Sequence, residues 1–353
     1  MIYPRILIDT EKILTNTKVL VNLAKENNIT VAGVTKGFCA EPRVVEALIN
    51  GGVKYLADSR IKNLKKLIKF NIPIILSRIP MISEAEDVVQ YSHISLNSEI
   101  ETIQALSIAA AKLNKKHSVI LMVDLGDLRE GYFSEEELMK AAIEVDKLKN
   151  IKLIGIGTNL TCYGGVIPNK RLMDRLVRLK NQIEGELNIK LEIVSGGNSS
   201  IISMLGKESL NGINNIRLGE GIICGTESAF GKRIQGTFND AFLLEAEVIE
   251  IKNKPSVPTE KIGRDAFGEI PTFIDRGVRK RIICGIGKQD TDFHTMYPID
   301  QSLIILGGSS DHIILDASDS SVDYKIGDII KFNLHYVSIL RLMTSQYVEK
   351  III

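Results

Sequence analysis

The sequence predicts an α/β fold, a (β/α)8 TIM barrel over residues 1–235 followed by a C-terminal all-β domain over residues 236–353. Three observations predict it. Strand-like runs alternate with helix-like ones along the first two thirds of the chain, these runs number eight, and after about residue 236 helical periodicity gives way to short strands with turn signals. Eight is the count that closes a parallel barrel through right-handed crossovers.

The eight runs are VAGVTK (31–36), KYLADS (54–59), PIILSR (73–78), HISLN (93–97), SVILMVDLG (118–126), LIGIGTNL (153–160), LEIVSGG (191–197) and NIRLGEG (215–221). In the first of them, Val31, Ala32, Gly33, Val34 and Thr35 read as a buried strand of small and β-branched residues. Pro42 with Val44, Val45 and Leu48 spaced on one face predicts a helix after the first run. SEIETIQALSIAAAKLNKK (98–116) and SEEELMKAAIEVDKLKN (134–150) each open with a serine suited to an N-cap. In KNLKKLIK (62–69), Lys62, Lys65, Lys66 and Lys69 recur at helical spacing and read as a solvated face, because no aromatic residues interleave with them. The second part reads as strands at FLLEAEVIEIK (242–252), TFIDRG (272–277), RKRIICGIGK (279–288), SLIILGG (302–308), HIILDAS (312–318), DIIKFNL (328–334) and SQYVEKIII (345–353). No low-complexity linker separates the two parts, so they are expected to pack firmly.

Charge excludes some functions. The 353 residues carry 44 Lys and Arg against 43 Asp and Glu, a net charge of +1, which favours neither nucleic acid nor an anionic membrane and leaves a small molecule or a second copy of the chain as partner. Cys39, Cys162, Cys224 and Cys284 form no CxxC pair or short disulfide framework and suit a reducing cytoplasm. The start MIYPRILIDTEKIL has no long apolar core behind a basic end, and no segment nears the ~20 apolar residues that span a bilayer. A soluble, unprocessed cytoplasmic protein is expected.

In a barrel, reactive groups stand at the C-terminal ends of strands. The first run ends on Lys36, which reads either as a snorkelling lysine or as a Schiff-base amine made nucleophilic by partial burial. The second run ends at Asp58 and Ser59, the fifth leads into DLGDLREG with Arg129, and the sixth ends at Thr158 and Asn159. After the seventh, SGGNSS offers two glycines, Asn198 and Ser199 before a helix start, which reads as a phosphate cradle or as an ordinary serine-capped turn. The eighth adds Arg217, Gly219 and the amide of Glu220.

Lysine on the first strand, DxGxxRxG after the fifth, a Gly-Asn-Ser loop after the seventh and Arg-x-Gly on the eighth resemble the alanine racemase superfamily, the barrel-type (fold-type III) pyridoxal-phosphate enzymes. The resemblance spans essentially the whole chain. VTKGFCAEP, DLGDLREG, SGGNSS, GKQD and GGSSDHIILD look most like the ornithine racemase branch. It implies an isomerase, a pyridoxal 5'-phosphate-dependent amino-acid racemase acting on ornithine or another basic amino acid, as a homodimer with a shared active site. It implies that Lys36 binds the cofactor covalently and acts as one acid/base, and that Arg129 lies near the cofactor's phenolic oxygen and the substrate carboxylate. Asn198, Ser199, Gly219, Glu220 and Tyr336 are implied to hold the phosphate, and Arg217 to face the pyridine nitrogen. There a permanent guanidinium charge disfavours a pyridinium and weakens the ring as an electron sink. Asp311 matches an aspartate of the partner subunit's β domain.

Two positions depart from that pattern. Asn159 stands where alanine racemase has a histidine against the cofactor ring. KPSVPTEKIGRDAFGE (254–269) has no tyrosine to serve as the opposing base, and Asp265 is the candidate by position, with Asp290, His294 and His312 behind it. Asp265, Asp290 and Asp311 are also carboxylates able to receive a cationic side chain. A second base on another subunit implies an inactive monomer. No metal site is expected. The rival readings are a non-enzymatic pyridoxal-phosphate carrier, which lacks a β domain, a D-hydroxy-amino-acid aldolase, which needs a metal though no HExxH motif or tight His/Cys cluster is visible, and a colourless cofactor-free Schiff-base aldolase.

Overall fold

The chain's first strand finds its partners at the far end of the sequence. β1 (Arg5–Ile8) is followed by α1 (Thr10–Lys25), and then by eight strands that close on themselves. This computed structural model describes residues 2–265 and 267–353, which form two compact units, Glu11–Phe238 and Met1–Thr10 with Asn239–Ile353.

The first unit is the eight-stranded parallel barrel. β2 (Thr30–Val34), β3 (Tyr55–Asp58), β4 (Ile74–Leu76), β5 (Ile94–Asn97), β6 (His117–Met122), β7 (Ile151–Gly157), β8 (Ile193–Ser195) and β9 (Asn215–Leu218) pair in chain order, and β9 returns to β2. All eight runs marked in the sequence are barrel strands. Their inward residues, among them Ala32, Ala57, Ile75, Leu96, Ile120, Met122, Ile154 and Ile193, form one buried cluster, each large member adding about 1.5–3 kcal/mol by leaving water. The helices between strands are α2 (Pro42–Asn50), α3 (Ile61–Leu67), α4 (Ala85–Tyr91), α5 (Ile100–Lys112), α6 (Glu135–Asp146), α7 (Lys170–Leu187) and the short α8 (Glu220–Cys224).

Ser134 caps α6, its hydroxyl accepting from Glu137 N at 3.3 Å. Ser98 does not cap α5, which starts two residues later behind an extended Glu99 with no side-chain cap. On α3, Lys62, Lys65 and Lys66 are exposed while Ile61, Leu64 and Leu67 are buried, a solvated face over a core-facing stripe. Among the described residues no helix is long and apolar enough to cross a membrane.

The second unit is built on β10 (Phe242–Pro255), a strand long enough to serve several neighbours. Its first half pairs with β1 and β15 (Ile329–Leu334), and its second half with β11 (Val278–Cys284) after an irregularity at Val248/Glu250. β12 (Met296–Pro298), β13 (Ile304–Gly308) and β14 (Ile313–Asp316) extend the sheet, α9 (Tyr336–Thr344) interrupts the β pattern, and β16 (Glu349–Ile352) runs parallel to β1.

Two expectations are corrected. Residues 1–10 group with the C-terminal unit rather than with the barrel, because RILI hydrogen-bonds to β10 and β16. TFIDRG is not a strand: Phe273 and Ile274 are exposed, and Asp275 instead closes a turn by accepting from Gly277 N at 2.9 Å, with Gly277 at φ +73°.

Candidate active site

Neighbouring strands of a parallel barrel bring their C-terminal ends together. β2 lies between β3 and β9, with Ala32 level with Arg217 and Gly33 with Leu218. Lys36, two residues past Val34, opens a single 3-10 turn (Lys36–Phe38). Its ammonium pKa is lowered, first by burial and then by Arg129, against Cys162, Asp58 and Glu130, which pull it up.

The backbone before Lys36 is tied down by Asp58 at the end of β3. The Asp58 carboxylate accepts from Thr35 Oγ1 at 2.5 Å, Arg60 N at 2.9 Å and Asn63 Nδ2 at 3.1 Å. Burial raises this carboxyl's pKa, and the same three partners oppose the rise.

Arg217 on β9 is 4% exposed. Its guanidinium donates to Ser195 Oγ, to Thr158 O at 2.7 Å and to Asn159 Oδ1 at 2.6 Å. All three acceptors are neutral, so no carboxylate cancels the charge at contact. Burial pulls the pKa down to about 10, which leaves a cation at neutral pH.

Asn159 Nδ2 donates to Glu130, and Glu130 pairs with Arg129 through Nε and through Nη2 at 2.6 Å. That pairing, with burial working against it, raises the pKa of Arg129. The loop that carries both residues depends on Gly131, at φ +121°, where a Cβ would lie 2.6 Å from Asp124 N. Gly131→Ala is expected to cost about 2–4 kcal/mol, through forbidden backbone and backbone overlap together, and thermal melting checks it.

Two short helical segments face each other after β8 and β9. One is a 3-10 turn (Ser199–Ser203) capped by Asn198, whose Oδ1 accepts from Ser200 N at 2.9 Å; the other is α8, behind Gly219. Ser199 Oγ accepts from Gly221 N at 3.0 Å and joins them. The first amides of each, Ser199 and Glu220, have no acceptor within their own segment, and Gly197, at φ +126°, turns the chain just before the first of them. The Asn198 amide also donates to Leu160 O at 2.9 Å and Cys162 Sγ at 2.8 Å. Asp127, 1% exposed, holds the loop after β7 by accepting from the amides of Thr161, Cys162, Tyr163 and Val166 at 2.8–3.1 Å.

The family model of the alanine racemase N-terminal domain matches residues 8–226. The chain is 50% identical to the ornithine racemase of Acetoanaerobium sticklandii and 39% identical to the lysine racemase of Thermotoga maritima, each over 99% of both chains. The chain belongs to the alanine racemase family. The fold agrees: the crystal structure of alanine racemase from Bartonella henselae, with covalently bound pyridoxal phosphate, superposes with a TM-score of 0.74 over 100% of both chains at 21% identity. D-threonine aldolase from Filomicrobium marinum shares the fold at a TM-score of 0.74 and 14% identity, over 96% of this chain and 89% of that one.

In this racemase-family barrel, Lys36, Arg129, Asn159, Asn198, Ser199, Arg217, Gly219 and Glu220 all lie on the segments that follow, or at Arg217 form, the strands at one end. Their donors fit pyridoxal phosphate: a depressed-pKa amine for its aldehyde, first-turn amides and Ser199 for its phosphate, and a buried guanidinium for its ring. Glu220 offers its amide, while its own carboxyl, raised by burial, is bonded to Ser228. The other three predicted residues belong to the β unit. Asp265 caps a turn, accepting from Phe267 N at 2.9 Å and Glu269 N at 3.0 Å, and these bonds keep its pKa low. Asp311 is exposed in the β13–β14 turn and accepts from Ser310 Oγ at 2.5 Å, and Tyr336 opens α9. Two residues that organise the site were not singled out for it in the sequence, Glu130 and Asp127; Asp58, marked there at its strand end, anchors Thr35. Glu130 and Asp127 sit inside DLGDLREG, whose density of acids was the available signal.

Proposed function

We propose that this chain is a pyridoxal-phosphate-dependent racemase that interconverts L- and D-ornithine, as a cytoplasmic homodimer. The observation that carries the reading is an amine whose pKa burial lowers, just past the end of β2, beside a buried guanidinium on the adjacent β9 that no carboxylate among the described residues touches. Full-length likeness to an ornithine racemase and a lysine racemase supports a basic amino acid as substrate.

Pyridoxal phosphate, when bound, draws electron density from the amino acid's Cα–H bond and makes that hydrogen removable. The amides of Ser199 and Glu220, with the Ser199 hydroxyl, would hold the phosphate, joined in this reading by Asn198, Gly219 and Tyr336. Arg217 would face the ring nitrogen, where its charge disfavours a proton. Lys36 would hold the cofactor covalently and would move a proton at Cα on one face. Arg129 takes the substrate carboxylate with the donors that Glu130 leaves to it.

Inversion needs a second group on the opposite face. We assign it to Asp265 of a second copy, with Asp311 receiving the substrate's distal ammonium. The test is proton NMR of L-ornithine, L-lysine and L-alanine in heavy water with cofactor-loaded enzyme. Loss of the ornithine Cα proton together with appearance of the D isomer supports the reading. Cofactor binding without exchange on any of the three sinks it.

A further inference from the structure

An amide between two partners of opposite kind has one orientation that satisfies both. Asn159 is so placed: its Oδ1 accepts from Arg217 at 2.6 Å and its Nδ2 donates to Glu130 Oε1. A guanidinium has no acceptor and a carboxylate no donor, so a flipped amide would face repulsion at both ends. Glu130 is itself held, because Arg129 donates Nη2 to Oε1 at 2.6 Å and Nε pairs with Oε2. With its side chain 16% exposed, this carboxylate is poorly screened by water.

We infer that Glu130 is a positioning residue of the site: it fixes the orientation of Asn159, through it the aim of Arg217, and it holds Arg129 by one edge. The inference rests on the reading of Arg217 and Arg129 as the cofactor-facing and substrate-facing cations. Its chemistry is specific. A carboxylate in direct contact with Arg217 would neutralise the charge that keeps a proton off the ring nitrogen; set one amide away, it orients the guanidinium and leaves its charge in place. The negative charge also reaches Lys36 and Arg217, where it favours the protonated forms.

The test separates the carboxylate's charge from its reach. In Glu130→Gln, the one remaining oxygen can serve Asn159 and Arg129 Nη2 only if the new NH2 faces Arg129 Nε, donor against donor. We expect Glu130→Gln to lower kcat by about tenfold or more and to move the pH midpoint of the bound cofactor's visible absorption to lower pH. Glu130→Asp keeps the charge but withdraws it by one methylene from Asn159 and Arg129, so its kcat should also fall while its midpoint lies closer to wild type than that of Glu130→Gln. A Glu130→Gln enzyme within twofold of wild type with an unmoved midpoint overturns the inference. So does a folded, cofactor-binding Glu130→Asp enzyme with wild-type kcat. Should Glu130→Gln fail to fold, Glu130→Asp decides alone: a lowered kcat in a folded, cofactor-binding protein supports the inference, and a wild-type kcat overturns it. If wild type racemises no basic amino acid, the functional reading fails, and the absorption midpoints still decide the role of Glu130.

Discussion

Lys36→Ala is expected to lower ornithine Cα-proton exchange by about 10⁴-fold or more and to leave the purified protein without a covalently held chromophore, because on the proposed reading one residue supplies both the covalent anchor and a proton carrier. Both losses follow from position. Thr35 is locked to Asp58, so Lys36 begins its turn at a fixed point beside β9, and a substitute amine elsewhere on the rim could not reproduce that placement. The wild-type pH profile is part of the same prediction. On the proposed reading the neutral form of the Lys36 amine removes the proton. Burial lowers its pKa, so kcat should rise with pH along a limb that lies below the ordinary lysine range. A limb at ordinary lysine values, or a variant that retains more than a few per cent of wild-type exchange, would contradict the assignment.

Arg217→Met should be strongly destabilising within the barrel's polar interior. It removes the donor to Thr158 O and Asn159 Oδ1 and one partner of Ser195, all buried, at about 1–3 kcal/mol for each acceptor left unpaired. A total near about 3 kcal/mol or more corresponds to a melting temperature lower by several degrees. Arg217→Lys should recover little, since an ammonium on a flexible stem cannot span three acceptors in one plane as a guanidinium fork does. Differential scanning calorimetry of the two variants checks this. A melting temperature of Arg217→Met within about 1 °C of wild type would show that the three acceptors find water or other donors instead.

The barrel was legible because eight short strand-like runs recur with helical segments between them, and that alternation and that count fit a closed parallel barrel. The C-terminal sheet was less so. FLLEAEVIEIK announces a strand by composition, yet nothing in RILI at residues 5–8 shows that Arg5 lies opposite Glu245, 240 positions away. TFIDRG has the β-branched and aromatic content of a strand, and no neighbour offers it a ladder. In the site, Lys36, Arg217 and the Gly-Asn-Ser loop were visible because their residue types are unusual at strand ends. Glu130 was not. Beside Arg129 in sequence it looks like half of a surface ion pair, and only the fold shows that its second partner is Asn159, from the next strand over.

The pairing of β1 with both β10 and β16 has a consequence for how the molecule is made. A ribosome delivers β1 long before its parallel partner, and about 340 residues are synthesised between the two before that ladder can close. The barrel segment, complete by Phe238, can begin to organise while the chain is still growing. Throughout that interval Ile6 and Ile8, fully buried in the finished protein, sit on an unpaired strand edge, the kind of segment that nascent-chain chaperones protect. Losing only QYVEKIII, the stretch that carries β16, would leave that edge permanently open, so these few codons matter more to solubility than their small share of the message suggests.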